Sequence, residues 1–259
     1  MLIAVDVSNT NTKVGVYDGE RLVRHWRLRT DPERTADEYG VFLRSLLAEA
    51  GDLLPRVRGA IVASVVPPMN DTVDDLLRTL FGVAPVFVGP GVRTGISITV
   101  DNPKEVGADR IVNAVAAYER ARGAAIVVDM GTATTFDYVT AKGEYAGGVI
   151  VPGIAISLDA LGARTAKLPR VELMRPPRVV GRNTIHAIQS GVIFGYTALV
   201  DGLVERIRRE NDPSAQVFAT GGLAHLIQPE STTIVAVDEY LTLDGLRIIY
   251  DRNGGHDGE

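Results

Sequence analysis

One pattern restricts the possible folds of this chain more than any other: the same short unit occurs twice. Leu2–Val7 is a brief apolar run rich in branched residues, the signature of a buried strand. Residues 8–12 are polar and turn-like, 14–17 read as a second strand, Asp18-Gly19 is a hairpin signal, and 22–28 supply a third strand. Past the middle of the chain the order restarts. Residues 124–128 form a strand running into Asp129, 131–135 a polar turn, 136–139 a strand, Lys142-Gly143 a hairpin and 145–151 a third strand. Asp6 and Asp129 hold the same place in the two units, and the hairpin glycine follows 13 residues after the first (Gly19) and 14 after the second (Gly143). Two units with matched spacing predict a duplicated fold.

Helical periodicity fills the space between strands. Ala36, Tyr39, Leu43, Leu46 and Leu47 share a face, with Thr35 and Glu38 as a capping box. A strand at 60–66 precedes a helix marked by Met69, Val73, Leu76, Leu77 and Leu80. Ile185, Ile188, Val192, Tyr196, Leu199, Leu203 and Ile207 step by three and four along a long helix capped by Asn183, and 216–219 is a strand leading into Gly221-Gly222. Residues 163–182, rich in Pro and Arg, read as a loop. The expected class is α/β: two lobes, 1–118 and 119–259, each a mixed sheet flanked by helices.

Composition excludes several chemistries. The chain has 259 residues and no cysteine, so disulfides, Cys-based zinc sites and thiol catalysis are ruled out. The formal charge of -5 offers no general attraction to nucleic acid or anionic membrane. No apolar run reaches the roughly 20 residues of a membrane span, and the short run before Asp6 is not a signal peptide. A soluble, cytoplasmic protein is expected. The four histidines are scattered and show no metal spacing, Trp26 reads as a strand packing residue, and the polar tail from Asn253 reads as disordered.

Three segments carry chemistry. In the first turn, Asp6 at a strand end is placed for Mg²⁺, Asn9 and Thr10 offer side-chain donors, and Lys13 adds a point charge, a set suited to a phosphate chain as much as to an ordinary polar hairpin. Asp129, Gly131, Thr132, Thr134 and Thr135 make a second acid-plus-hydroxyl turn. If the two halves face each other, both turns close on one phosphate chain, as in the actin, sugar-kinase and chaperone-ATPase superfold. Neither a G-x-x-x-x-G-K-[S/T] nor a G-x-G-x-x-G sequence is present, which removes the main support for Walker-type and dinucleotide-binding readings. In the third segment, 102–110, Pro103 and Glu105 suit a helix start, and Asp109 and Arg110 follow in the first turns. There Asp109 can accept a proton and Arg110 can hold an anionic group, although by themselves the two residues read more simply as a surface Asp-Arg pair on a helix.

Together these elements make the chain resemble the type III pantothenate kinases. The likeness runs from Leu2 to about Leu246. It rests on Asp6, Asn9, Thr10 and Lys13; on Gly107-Ala108-Asp109-Arg110; on 129–135; on Gly147-Gly148 and Pro152-Gly153; and on 164–169, 181–184 and 220–224. The resemblance implies a ribonuclease H-like, actin-like ATPase fold in two lobes. It implies phosphorylation of pantothenate by ATP with Mg²⁺, the first step toward coenzyme A. ATP phosphates would lie on the turn Asp6, Val7, Ser8, Asn9, Thr10, Asn11, Thr12 and Lys13, and Thr132 would also touch ATP. Asp109 would be the catalytic base, Gly107, Ala108, Asp109, Arg110 and Thr184 would hold pantothenate, and Asp6 would sit near Mg²⁺. Asp129 would ligate a monovalent cation, K⁺ or NH4⁺. Members of this kind are homodimers whose substrate pocket draws on both subunits.

The family usually has Gly where this chain has Ser8, and often an aromatic residue where it has Val100. A regulatory relative that binds ATP or pantothenate without turnover is the alternative reading, and a kinase for another small hydroxy acid a third. Ala187, Gly191 and Gly195 form a small-residue face on the long helix, suited either to close packing within the chain or to a dimer seam.

Overall fold

The computed structural model describes residues 1–51, 53–165 and 168–254, and it divides into two compact units. The first comprises Met1–Gly95, Asn102–Ala116 and the C-terminal segment from Thr242; the second comprises Ile96–Asp101 and Ala117–Leu241. A single cut near residue 118 therefore does not separate them. The last helix belongs with the first unit, because its side chains fill that unit's sheet face.

In the first unit, β1 (Leu2–Val7), β2 (Asn11–Asp18), β3 (Arg21–Arg29), β4 (Gly59–Ser64) and β5 (Pro85–Phe87) form a sheet of order β3-β2-β1-β4-β5. β1 pairs antiparallel with β2 and parallel with β4. Alternation in β1 and β2 sends Ile3, Val5, Val7, Val14 and Val16 to one face, where they pack under α1 (Ala36–Glu49) and α2 (Asn70–Phe81) through Tyr39, Leu43, Leu47, Val73 and Leu77. Trp26 packs at the margin of this core. The capping box of α1 is present: Glu38 N–H donates to Thr35 Oγ1, and Thr35 N–H donates to Glu38 Oε2 at 2.8 Å. The opposite face takes α7 (Leu241–Arg252). A side chain at Gly15 would meet Leu243, one at Gly59 would meet Tyr250, and Tyr17 donates to Asp244 at 2.6 Å. α3 (Ala108–Ala121) packs there too, since a Cβ at Gly245 would lie 2.2 Å from the Val112 carbonyl oxygen.

The second unit repeats the plan. β7 (Ala125–Met130), β8 (Ala133–Val139), β9 (Glu144–Pro152), β10 (Gln216–Thr220) and β11 (Ala236–Val237) correspond in order to β1, β2, β3, β4 and β5, and β6 (Ser97–Ile98) extends the edge: β11-β10-β7-β8-β9-β6. Again the central strand is antiparallel to its hairpin partner and parallel to the strand on its other side. Asp6 and Asp129 are each the fifth residue of a six-residue strand, and the glycines that turn the following hairpins, Gly19 and Gly143, both have positive φ, 59° and 76°. Val128, Met130 and Phe136 pack against Ile188, Val192, Val200 and Val204 of α5 (Thr184–Glu210). By length and composition α5 could cross a membrane, with mean hydropathy 1.4 over its most apolar window, but these four residues spend its apolar stripe on the core.

The structure adds elements not read from the sequence. Within 163–182, Arg164 ends a helix, α4 (Ile154–Arg164), and the remaining described residues have no helix or strand. α6 (Ala224–Ile227) follows the double glycine. Asn253 is not loose: its side chain donates to the Arg93 and Ile249 carbonyls and accepts from Arg93 N–H. The rest of the expected tail, 255–259, lies outside the described residues, as do Ala166 and Lys167 of the 164–169 element.

Candidate active site

The first hairpin turn is held from the side. Ser8 N–H donates to the Asn11 carbonyl at 3.2 Å, and Thr30 N–H to the Thr10 carbonyl at 3.1 Å. The Thr30 hydroxyl donates to the Ser8 carbonyl at 2.6 Å and meets Thr12 Oγ1 at 2.9 Å. Thr30 had no sequence signal, because it acts only through the fold that brings the end of β3 beside the turn. Asp6 is 2 % exposed, accepts from the Ser8 hydroxyl at 3.1 Å, and lies 4.0 Å from Lys13 Nζ, its cross-strand partner. Ser8 has no left-handed backbone angle, so the absence of glycine there costs nothing in strain. Asn9 and Thr10 are exposed at the tip. The side chains of Val7 and Thr12 are buried on the core side, the two residues pair across the hairpin, and the Val7 carbonyl accepts from Val65 N–H at 3.0 Å.

Asp109 is the second residue of α3, not part of a helix begun at Pro103. Pro103–Glu105 is a separate 3-10 turn capped by Asn102, and α3 starts afresh at Ala108 with the Gly107 carbonyl accepting from Arg110 and Ile111. A Cβ on Gly107 would lie 2.5 Å from Asp109 Oδ1, so glycine is required for the carboxylate to fold back over the turn. Asp109 Oδ1 accepts from Arg110 N–H at 2.8 Å. Burial pushes the Asp109 carboxyl above its ordinary value; the Arg110 amide and guanidinium and the Lys13 charge act in the opposite sense without cancelling it. Asp6, Lys13, Gly107, Asp109 and Arg110 all belong to the first unit.

In the second unit, Asp129 pairs in register with Thr135 on β8 and Thr220 on β10, which places the three side chains on one sheet face. Thr220 Oγ1 is fully buried without a hydrogen-bond partner among the described residues. Its only sequence signal was its place before Gly221-Gly222. Thr132 is exposed in the β7–β8 turn, and its carbonyl accepts from Gly153 N–H at 3.1 Å. Thr184 opens α5, where Asn183 accepts from His186 N–H at 2.8 Å. Thr184 borders a cavity of about 780 Å³ within this unit, together with Arg182, Asn183, Leu161, Gly191 and Tyr196. A Cβ at Gly191 or Gly195 would meet nothing within 4 Å, so the small-residue face of α5 is open in the chain. No group of three or more metal-ligating His, Cys, Asp or Glu occurs among the described residues.

Solved structures resemble the whole chain in fold. The ROK family glucokinase from Streptomyces griseus, solved with glucose and AMPPNP, has TM-score 0.53 at 13 % identity, covering 97 % of this chain and 98 % of that one. The ethanolamine utilization protein EutJ from Carboxydothermus hydrogenoformans has TM-score 0.55 at 16 % identity, covering 95 % and 89 %. The duplicated sheets and paired acidic turns are thus those of the actin-like ATPase and sugar-kinase fold.

Sequence comparison is more specific than fold. The type III pantothenate kinase family model matches residues 2–206. The type III pantothenate kinase of Pelobacter propionicus is 55 % identical over 253 residues, 98 % of this chain and all of that protein. The chain belongs to the type III pantothenate kinase family.

Proposed function

We propose that this protein is an ATP-dependent pantothenate kinase that converts pantothenate to 4′-phosphopantothenate, the first step of coenzyme A biosynthesis. The observation that carries the mechanism is Asp109: a partly buried carboxylate, oriented by Arg110 N–H, with burial raising its proton affinity. The primary hydroxyl of pantothenate attacks the γ-phosphorus as its proton passes to an Asp109 oxygen. The bond from that phosphorus to the bridging oxygen breaks, and ADP leaves. A carboxylate with a raised pKa is a better proton acceptor than an exposed one. Arg110, next to it, is the partner for the pantothenate carboxylate, and Gly107 and Ala108 offer backbone close to the acceptor. Thr184 supplies a hydroxyl to the same substrate.

The turn from Asp6 to Lys13 binds the nucleotide phosphates through its amides, the Asn9, Thr10 and Asn11 side chains and the Lys13 ammonium, and Thr132 is likewise assigned to ATP. Asp6, a hard oxygen donor beside Lys13, would hold Mg²⁺ or its waters, and the ion would supply charge neutralisation on the triphosphate. Asp129 would hold K⁺ or NH4⁺. The buried, unpartnered Thr220 hydroxyl in register with it is an observation that fits an oxygen-ligated cation there. A homodimer is supported by the apolar side chains that the second unit exposes near its cavity: Leu161 on α4, Val179 and Val180 before α5, and Ile185 on its first turn, with Val180 80 % exposed.

The test is ATP consumption with and without pantothenate, in Mg²⁺ plus K⁺ or NH4⁺, with mass detection of 4′-phosphopantothenate. Pantothenate-dependent product is expected. Folded protein that binds ATP but yields no product under these conditions would overturn the assignment in favour of a regulatory relative.

A further inference from the structure

The edge strand of the first sheet carries a charge that the rest of the chain does not explain. β3 reads RLVRHWRLR: four arginines, one histidine and no acid, in a protein of net charge -5. Two of these arginines are placed by register beside the phosphate turn. Arg27 pairs with Lys13, which pairs in turn with Asp6, so Asp6, Lys13 and Arg27 form one row across three strands on one face. Arg29 pairs with Asn11, forming the next row on that same face at the turn itself. α7 covers the row on the other side, where Leu243 lies against Gly15, the partner of His25.

The charges along the central row are unbalanced. The Lys13 ammonium has Asp6 on one side, but on the other side it faces Arg27, a second cation directly opposite on a neighbouring strand, an arrangement that by itself is unfavourable. Arg27 and Arg29 are both exposed, and neither guanidinium has a hydrogen bond or ion pair with any of the described residues. A polyanion lying along these rows removes the repulsion and gives both planar, multidentate guanidinium groups partners they otherwise lack.

We propose that Arg27 and Arg29 extend the phosphate site of the first hairpin across β3, binding the nucleotide's phosphate chain alongside Lys13. The inference rests on the reading that this hairpin holds nucleotide phosphates. It assigns the two arginines to nucleotide affinity and not to pantothenate or to the proton transfer, since Gly107, two residues before Asp109, lies where a Cβ would be 3.4 Å from Val65, which follows β4 on the far side of β1.

The experiment compares the wild type with Arg27→Ala/Arg29→Ala, the single variants Arg27→Gln and Arg29→Gln, and Arg27→Lys/Arg29→Lys. It reads the KM for ATP, the KM for pantothenate, kcat, and the Kd for ADP by calorimetry at low and high salt. The double alanine variant should raise the ATP KM and the ADP Kd about 5- to 20-fold, with a shallower salt dependence. The pantothenate KM and kcat should stay within about twofold, and the double lysine variant should recover most of the loss. An ATP KM and ADP Kd within about twofold of wild type, or an equal rise in the pantothenate KM, would overturn the proposal. Lys13→Ala separates the two readings. If it weakens ADP while the arginine variants do not, only this inference falls; if it leaves ADP binding unchanged, the hairpin reading falls with it.

Discussion

Gly153→Ala tests the packing that sets the second turn. Gly153 has ordinary extended angles, φ -70° and ψ 158°, so alanine there costs nothing in backbone conformation. The cost is steric. A Cβ would lie 2.1 Å from the Thr132 carbonyl oxygen and 2.6 Å from that of Gly131. Carbon and oxygen come no closer than about 3.3 Å without strain, so the turn has to retreat by about 1 Å from the start of α4. That movement breaks the 3.1 Å bond from Gly153 N–H to Thr132, worth about 1 kcal/mol. Overpacking against rigid backbone adds about 1–3 kcal/mol. The sum of about 2–4 kcal/mol corresponds to a Tm lower by about 5–12 °C for a chain of this size. Because Thr132 itself shifts, the ATP KM should rise by at least about tenfold. Thermal unfolding and steady-state kinetics on the purified variant check both. A variant with wild-type Tm and ATP KM would refute the claim that close approach of these two segments fixes the turn.

Asp109→Asn should lower kcat by about 10²–10⁴-fold with ADP affinity nearly unchanged, as read by single-turnover kinetics and calorimetry. Because burial raises the Asp109 pKa, its protonated form is favoured in the folded state; the associated stability is complete below the unfolded pKa and is lost as pH rises through the folded one. The asparagine variant should therefore be at least as stable as wild type at pH 7, and the acid limb of the wild-type kcat/KM profile should lie above the ordinary aspartate pKa. Asp201 behaves oppositely. Burial pushes its carboxyl up, but hydrogen bonds from the Ser231, Thr233 and Thr232 hydroxyls and from Thr232 N–H outweigh it and hold the pKa below the ordinary value. Asp201→Asn should cost about 1–3 kcal/mol near neutrality, and denaturant titrations should show the deficit shrinking as pH falls through the folded wild-type pKa. Ser8→Ala removes the hydroxyl that donates to Asp6, and it should shift the Mg²⁺ concentration for half-maximal turnover while leaving Tm within about 2 °C.

Much of the architecture was legible because it depends on local periodicity. The alternation in β1, β2, β7 and β8, the positive-φ glycines of both hairpins and the capping box of α1 are each decided within a few residues. What escaped were features set by distant partners. α4 is short, ends at Arg164 just inside the 163–182 segment read as loop, and begins where Gly153 meets the Thr132 turn. Asp109 was correctly expected near a helix start, but the sequence did not separate the 3-10 turn at Pro103 from the fresh start at Ala108, nor show that the Asp109 carboxylate lies in the room Gly107 leaves.

The sequence alone determined that this chain contains two copies of one strand-acid-turn-strand unit and carries an acid, a lysine and an Asp-Arg pair in an order that resembles one kinase family. These follow from side-chain chemistry and short-range spacing, which survive without coordinates. Only the tertiary structure decided that the C-terminal helix packs on the first sheet. It also decided that Thr30 ties the first hairpin turn, that Thr220 lies buried beside Asp129, and that Arg27 and Arg29 share a sheet face with Lys13. Those are consequences of register and of long-range packing, where residues far apart in the chain meet because strands align and buried surfaces must be filled.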